Sequence, residues 1–255
     1  MNFLSTSYFL ATTLLKLVMP LVMDVSKTIA RATNYAFANV HPDGHFYGEM
    51  RSNSTITAEY VLMCQAMGIS LAADGPALHQ WLEADQHADG GWSIGPGLPG
   101  ETSTSVEAYL ALKILGVSPD ALHMCRARDF IIKVGGLEKV RIFTRIHLAM
   151  FGLFRWEGVP QIPPELILMP DWSPFSIYRF SSWARATLVP LLLICHHRPI
   201  FRLPNGKSSN NNFLDELWVN SAEKNVPHSL PLVDLWLKDG LFSYNFAFTM
   251  ADTAL

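Results

Sequence analysis

The stretch WLEADQHADGGW, residues 81–92, decides the fold, because a related pattern precedes it at residues 35–46. Four of its positions have counterparts 46 residues earlier: Trp81 with Tyr35, Gln86 with Val40, Gly90 with Gly44 and Trp92 with Phe46. The segments after these stretches match as well, and a weaker third copy runs from Phe130 to Gly152. A repeat of this length indicates stacked supersecondary units that bury their faces against one another.

Each copy of the repeat predicts a helix, a glycine-rich turn and a second helix. In the first copy, apolar residues follow one another at helical spacing and form a stripe, and Gly68 occupies the position of a helix C-cap. The members of this stripe are Ile56, Tyr60, Val61, Cys64 and Met67. Since no segment alternates over the length of a strand, we predict an all-α fold, either a solenoid or an α/α barrel of helical hairpins.

The repeat places two acids and an aromatic residue at equivalent positions. Glu59, Glu107 and Phe143 each stand nine residues before the glycine that ends the second helix of a copy. A buried carboxylate needs a partner, and either Arg141 or Arg145 could supply the cation. The pattern is compatible with an ion pair that joins adjacent repeats and with a functional polar cluster.

The composition excludes several functional classes. With 19 basic and 22 acidic residues, the chain has no basic excess for nucleic acid. Only 16% of the residues are charged, against about 25% in a typical soluble domain, which favours a protein that handles lipid. The three cysteines form no CxxC motif, so we expect a reducing compartment. The histidine pairs at residues 41 and 45 and at 196 and 197 lack zinc-site spacing, and we expect no metal.

The chain outside the repeats divides into two further parts. Residues 1–26 are apolar and predict an amphipathic helix, which could pack on the protein, lie in a membrane interface or act as a signal or anchor. The helical barrel is expected over residues 27–204, and loops and short helices over residues 205–255. Five prolines between residues 159 and 174 predict an extended connection, and the next helix carries Trp183, by default a core residue.

Three motifs resemble those of one enzyme family. Trp81, Gln86, Gly90 and Trp92 resemble the QW repeat of triterpene cyclases, although the basic residue that usually opens that repeat is absent. The sequences PELI (164–167) and PFSIYRFSSWARAT (174–187) resemble the signature of squalene–hopene cyclases, and RIFTR (141–145) resembles that family's RVFTR segment. The resemblance extends over residues 27–204, and the tail resembles the insert of fungal members.

This resemblance implies an enzyme that cyclises squalene, or a related polyprene, through a carbocation cascade without a cofactor. The matched segment would be the smaller, inserted barrel of a two-barrel fold. Phe143 and Trp183 match aromatic positions of the substrate cavity, and Glu59, Glu107 and Arg141 match a polar network that holds a water where the cascade ends. Four residues after Phe143 the family commonly has Trp, whereas this sequence has His147. An apolar substrate also implies peripheral membrane association, at the endoplasmic reticulum or a lipid droplet in a eukaryote.

The sequence departs from the family in lacking the DxDD motif whose acid protonates the substrate. We therefore expect a C-terminal half to supply the acid, and Phe143 and Trp183 to be partly uncovered without it. Arg141 should favour the ionised forms of Glu59 and Glu107, which cannot donate a proton. The alternatives are a non-catalytic cyclase fragment that binds a lipid or a partner protein, and a helical-repeat interaction module.

Overall fold

A computed structural model describes residues 25–46, 52–161, 163–173, 176–222, 224, 226–227, 229, 231–240, 243 and 249–250. In these ranges the regular elements are helical, with isolated β-bridges instead of strands, and the all-α prediction is confirmed. The helices are α1 Val25–Ala38, α2 Ser54–Met67, α3 Gly75–Ala84, α4 Thr102–Ile114, α5 Leu122–Lys133, α6 Ile142–Met150, α7 Ser182–His197 and α8 Leu232–Asp239. Short 3₁₀ turns connect some of them.

The chain separates into two compact units, residues 1–51 and residues 52–255. In the first, α1 buries none of its side chains and leads into a turn around Gly44. Most of the predicted N-terminal helix, residues 1–24, lies outside the described residues. The boundaries predicted at residues 26 and 204 stay predictions.

The turns of the first two copies have the same hydrogen-bonding pattern. The His41 N–H donates to the His45 carbonyl over 2.9 Å, and the His87 N–H donates to the Gly91 carbonyl over 2.9 Å. Gly44 and Gly90 adopt φ values of 91° and 93°. Gly90 also has a steric reason to be glycine, since a Cβ there would lie 2.5 Å from the backbone oxygen of Arg126.

The second helix of each copy also ends in the same way. Gly68, Gly116 and Gly152 all adopt positive φ values at the ends of α2, α4 and α6. In each case the next N–H donates to a carbonyl five residues earlier, over 2.8 to 3.0 Å (Ile69 to Cys64, Val117 to Leu112 and Leu153 to Leu148). These matching ends place Glu59, Glu107 and Phe143 at the same distance from their helix C-termini.

Helix α4 is the centre of the second unit. Its residues from Ser103 to Leu112 are buried, and hydrogen bonds join it to α2 (Thr55 to Thr104, 3.3 Å) and to α6 (Thr144 to Glu107, 2.5 Å). Helices α3 and α5, the first helices of the second and third copies, contact α4 as well. This arrangement brings the second helices of the three copies together, and the polar residues of the repeat with them.

Two expectations about apolar residues were wrong. The stripe on α2 does not share one face, because Val61 and Cys64 are buried against the core while Ile56 and Met67 are 57% and 70% exposed. Helix α2 is apolar on two faces, and α4 covers only one of them. Trp183 is no core residue either. It is 75% exposed, since α7 buries only Leu192 and Cys195 in its C-terminal half.

The segments after the hairpins pack onto this core. The proline-rich connection includes a 3₁₀ turn at Pro164–Leu168, while Pro174 lies outside the described residues. Further along, Leu217 and Trp218 are buried, and the Trp218 ring stacks on Phe154 with the centroids 5.4 Å apart. Glu216 accepts a hydrogen bond from the Tyr109 hydroxyl over 3.1 Å. The tail therefore completes the packing around α4.

Candidate functional site

Glu107 is the centre of a polar cluster between α2, α4 and α6. Only 1% of its surface is exposed. One carboxylate oxygen accepts a hydrogen bond from the Thr144 hydroxyl over 2.5 Å, and the other lies 3.4 Å from Nη2 of Arg141. A carboxyl group this deeply buried is stable only with such partners.

Arg141 provides the cation of this cluster. Its backbone N–H donates to the Ser103 hydroxyl over 3.0 Å, and its Nη2 also reaches the Thr55 hydroxyl at 3.3 Å. Arg145, the other candidate, points elsewhere and contacts the ring of Phe154 at 5.3 Å. Its guanidinium donates to four backbone carbonyls, those of Glu138, Val140, Gly158 and Pro227. Arg141 is thus the partner of Glu107, and Arg145 holds loops together.

Glu59 and His147 complete the cluster. The His147 Nδ1 lies 3.7 Å from a carboxylate oxygen of Glu59, which is too long for a hydrogen bond. One oxygen each of Glu59 and Glu107 and one nitrogen of His147 lie within 4.8 Å of one another. From the sequence, His147 stood out only as a departure from a family pattern, and Thr55 and Thr144 were not among the predicted site residues. The spacing of three between Thr144 and His147 was the available signal, since it places both on one face of α6.

Burial determines the protonation of the cluster. It raises the pKa of Glu107, and the nearby charge of Glu59 adds to this effect, while the bond from Thr144 and the charge of Arg141 oppose it. Arg141 does favour the ionised form, as expected, but the loss of water outweighs this effect, so the net shift of the Glu107 pKa is upward. Burial also lowers the pKa of His147, and Arg141 lowers it further, against the charge of Glu59. His147 is accordingly a neutral imidazole at pH 7.

The cluster combines hydrogen-bond donors and acceptors around one small region. Arg141 donates, Glu59 accepts, and neutral His147 can do either, so a water molecule would find partners for both its protons and its lone pairs. A metal ion is a weaker fit for Glu59, Glu107 and His147, because the guanidinium of Arg141 already supplies positive charge beside Glu107.

An exposed apolar surface adjoins the cluster. On α2, Ile56, Tyr60, Met63 and Met67 are all exposed and share the face that carries Glu59. On α6, Phe143 precedes Thr144 in the chain and is 52% exposed. Phe143 and Trp183 are both uncovered, and the ring contacts of the described residues do not pair them with each other. Within the described ranges, no helix has the length and apolarity needed to span a bilayer.

The residues of the repeat pattern have structural contacts. The Gln86 side-chain amide donates to the carbonyls of Gly90 and His123, both over 2.8 Å, and so ties the end of α3 to the start of α5. Trp92 is fully buried and donates its indole N–H to the Leu82 carbonyl over 2.8 Å. Trp81 remains partly exposed. These contacts hold the hairpin that positions α4.

Comparisons with known proteins agree with the motifs. Residues 29–255 match the squalene-hopene cyclase N-terminal domain family. The chain is 48% identical to the enfumafungin synthase of Hormonema carpetanum, over 92% of this chain and 18% of that protein. It is 44% identical to a squalene hopane cyclase of Aspergillus fumigatus, over 92% of this chain and 31% of the relative. It is 39% identical to the squalene–hopene cyclase of Alicyclobacillus acidocaldarius, over 70% of this chain and 28% of the relative. The chain thus spans a third or less of the length of these curated relatives.

Proposed function

Since the chain belongs to the squalene–hopene cyclase N-terminal domain family, we propose that it forms part of a triterpene cyclase cavity and contains the site where cyclisation of squalene, or of a related polyprene, ends. One observation carries this proposal. The cluster of Glu59, Glu107, Arg141 and His147 borders an exposed apolar face. A hydrocarbon cascade that ends in a cation needs an apolar surface for the chain and polar groups for its last step.

The apolar face is suited to a polyprene chain. It presents exposed aliphatic, thioether and aromatic groups, which suit contact with a hydrocarbon. These groups belong to Ile56, Tyr60, Met63 and Met67. Phe143 adds an aromatic ring, whose negative face attracts a carbocation. Trp183 would have the same role at a second position of the wall. A partner domain that covers these side chains would enclose the substrate and exclude water from the early cations.

The polar cluster is suited to the last step of the cascade. The final carbocation can lose a proton from a neighbouring carbon to form an alkene, or a water oxygen can attack it and then lose a proton to form an alcohol. Neutral His147 can accept the proton in either route, directly or through a water held by Glu59 and Arg141. Glu107 keeps Arg141 and Thr144 in position.

The cluster is not suited to the first step. Protonation of an unactivated alkene requires a strong acid, and burial makes Glu107 a weaker acid than an ordinary carboxylic acid. We propose that a C-terminal half with a DxDD motif supplies the proton, and that the assembled cyclase associates peripherally with a membrane through apolar surface. The exposed apolar face also favours a second candidate, a non-catalytic lipid- or partner-binding protein.

Reconstitution separates these functions. The 255-residue chain is incubated with squalene, alone and together with a cyclase C-terminal half that contains DxDD, and the products are identified by gas chromatography. We expect cyclic triterpenes only with both parts. Cyclic product from the chain alone would refute the argument about Glu107, and binding of squalene without product in the assembled protein would favour the lipid-binding alternative.

Variants in the assembled protein test the role of the cluster. His147→Phe removes the imidazole and keeps an aromatic ring, so we expect the ratio of alcohol to alkene products to change several-fold while squalene consumption continues. Asp129→Asn on the exposed face of α5 is the control and should leave the ratio unchanged. An unchanged ratio in His147→Phe would remove His147 from the terminal step.

A further inference from the structure

A separate group of polar side chains connects α3 with α5. His79 and Glu83 stand four residues apart on α3 and share one face, and His123 lies at the start of α5. The His123 Nδ1 is 3.3 Å from one oxygen of Glu83, and the His79 Nε2 is 3.6 Å from the other. One ligand atom of each residue lies within 4.8 Å of the other two.

The hydrogen bonds of this group are incomplete. The Nε2 atoms of His79 and His123 are both buried and have no hydrogen-bond partner within the described part of the chain. Among the described residues, Glu83 forms ion pairs only with these two imidazoles and has no arginine or lysine within ion-pair distance. Buried polar atoms without a partner are rare in native proteins and call for a ligand or another explanation.

We propose that His79, Glu83 and His123 bind a divalent transition-metal ion of the Zn²⁺ class. Two imidazoles and a carboxylate are typical protein ligands of zinc, and with bonds of 2.0–2.1 Å a tetrahedral site separates its ligand atoms by about 3.3–3.4 Å. The 3.3 Å between His123 Nδ1 and one oxygen of Glu83 and the 3.6 Å between His79 Nε2 and its other oxygen are close to that separation. A metal binds imidazole in its neutral form, so the carboxylate of Glu83 would supply negative charge to the dication.

The other two groups of this kind fit a metal less well. Beside Glu59, Glu107 and His147, the guanidinium of Arg141 already supplies positive charge. In the exposed turn of the first unit, one oxygen of Asp43 lies 2.6 Å from the Nδ1 of His41 and 2.6 Å from the Nδ1 of His45. Both nitrogens therefore already have a partner. Over the ranges that the structure describes, the group on α3 and α5 has two imidazoles with a buried Nε2 that lacks a hydrogen-bond partner, and no arginine or lysine pairs with its carboxylate.

The surrounding structure holds the three ligands in place. Gln86 donates to the His123 carbonyl, which ties the start of α5 to the end of α3. His79 also lines a cavity of about 580 Å³ beside α2 and the end of α4, and this cavity offers a path for the ion. The bound ion would join the outer helices of two successive hairpins. No metal was expected from the sequence, because the histidine pairs close together in the chain lack zinc-site spacing, and His123 stands 40 residues after Glu83.

Metal titration of the full chain tests the proposal. The protein is treated with a chelator, dialysed and titrated with Zn²⁺ by calorimetry, and Co²⁺ is added to a second sample to record the visible absorption of a four-coordinate site. We expect one saturable Zn²⁺ per chain, an upward shift in thermal unfolding temperature and the Co²⁺ absorption. His79→Ala and Glu83→Gln should each weaken Zn²⁺ binding at least about ten-fold, since even indirect partners of a metal contribute that much.

The double variant His41→Ala/His45→Ala is the matched control and should retain the tight site. Circular dichroism establishes that each variant keeps its helices, and Glu83→Gln decides the outcome if His79→Ala fails to fold, because Glu83 is half exposed. The proposal is overturned if no saturable site is found, if Glu83→Gln binds Zn²⁺ as tightly as the wild type, or if binding is lost in the control. These outcomes do not depend on cyclase activity.

Discussion

At the scale of single residues, Glu107 shows how burial and charge compete. Arg141 is its neighbour at 3.4 Å, yet the loss of water around the carboxyl raises its pKa in the folded state. The neutral acid keeps its hydrogen bonds at a lower cost of desolvation than the anion. Burial also lowers the pKa of His147, so it shifts both groups towards their uncharged forms.

We therefore predict a pH-dependent contribution of Glu107 to stability. A carboxyl whose pKa is higher in the folded state than in the unfolded state binds its proton more tightly when folded, so it stabilises the protein at low pH. This contribution is lost as the pH rises from the ordinary range of a glutamic acid through the raised pKa. Glu107→Gln lacks the titration, so the free energy of unfolding of the wild type should fall relative to the variant as the pH rises from 4 to 8.

Urea denaturation at several pH values measures this difference. Asp129→Asn, which changes an exposed acid on α5, should follow the wild type over the same range. A wild type that gains stability relative to Glu107→Gln as the pH rises would show that Arg141 dominates and would reverse the assignment.

At the scale of elements, the turn between α3 and α4 positions the central helix. The chain passes so close to α5 at Gly90 that no side chain fits there, and Gln86 and Trp92 fasten the two ends of the turn. This contact explains why an amide, a small residue and an indole occur together between residues 86 and 92.

Gly90→Ala should consequently destabilise the protein more than Gly97→Ala. Both glycines have positive φ, so both substitutions carry a backbone cost of about 1 kcal/mol. A Cβ at Gly97 would meet open space, whereas a Cβ at Gly90 would lie 2.5 Å from the Arg126 oxygen. We expect an additional loss of about 1–3 kcal/mol for Gly90→Ala, measured by chemical denaturation followed by circular dichroism. Equal losses in the two variants would mean that α5 moves away at little cost.

At the scale of the whole molecule, the chain combines a well-packed centre with uncovered apolar side chains. Trp92 and Tyr109 are fully buried around α4, while Met63 and Met67 on α2 and Trp183 on α7 are exposed. Soluble monomers rarely expose a large contiguous apolar patch without a ligand or partner to cover it. This contrast supports the proposal that a polyprene and a further protein part cover these residues.

We predict that the purified chain binds a hydrophobic dye and needs detergent to remain monodisperse. The double variant Met63→Gln/Met67→Gln should bind clearly less dye and keep the stability of the wild type, because both side chains are exposed on the α2 face. Leu122→Gln, an exposed apolar residue on α5, is the control and should change dye binding little. A wild-type chain that is monodisperse without detergent and binds no dye would contradict the prediction.

The amino-acid sequence by itself determined the helical class, the hairpin repeat and the equivalence of Glu59, Glu107 and Phe143. These features depend on hydrophobic periodicity and on glycines at helix ends, which act over a few residues and can be seen without knowing the neighbours. The motifs likewise identified the family, to which residues 29–255 belong.

The tertiary structure was needed to show that Arg141 is the cation beside Glu107, where His147 and Thr144 lie, and that burial raises the pKa of Glu107. It also decided that Trp183 and one face of α2 are uncovered, and that His123 stands beside Glu83. Each of these features depends on residues far apart in the chain. Burial and local charge arise only when helices from different hairpins pack together, so they cannot be predicted from periodicity along the chain.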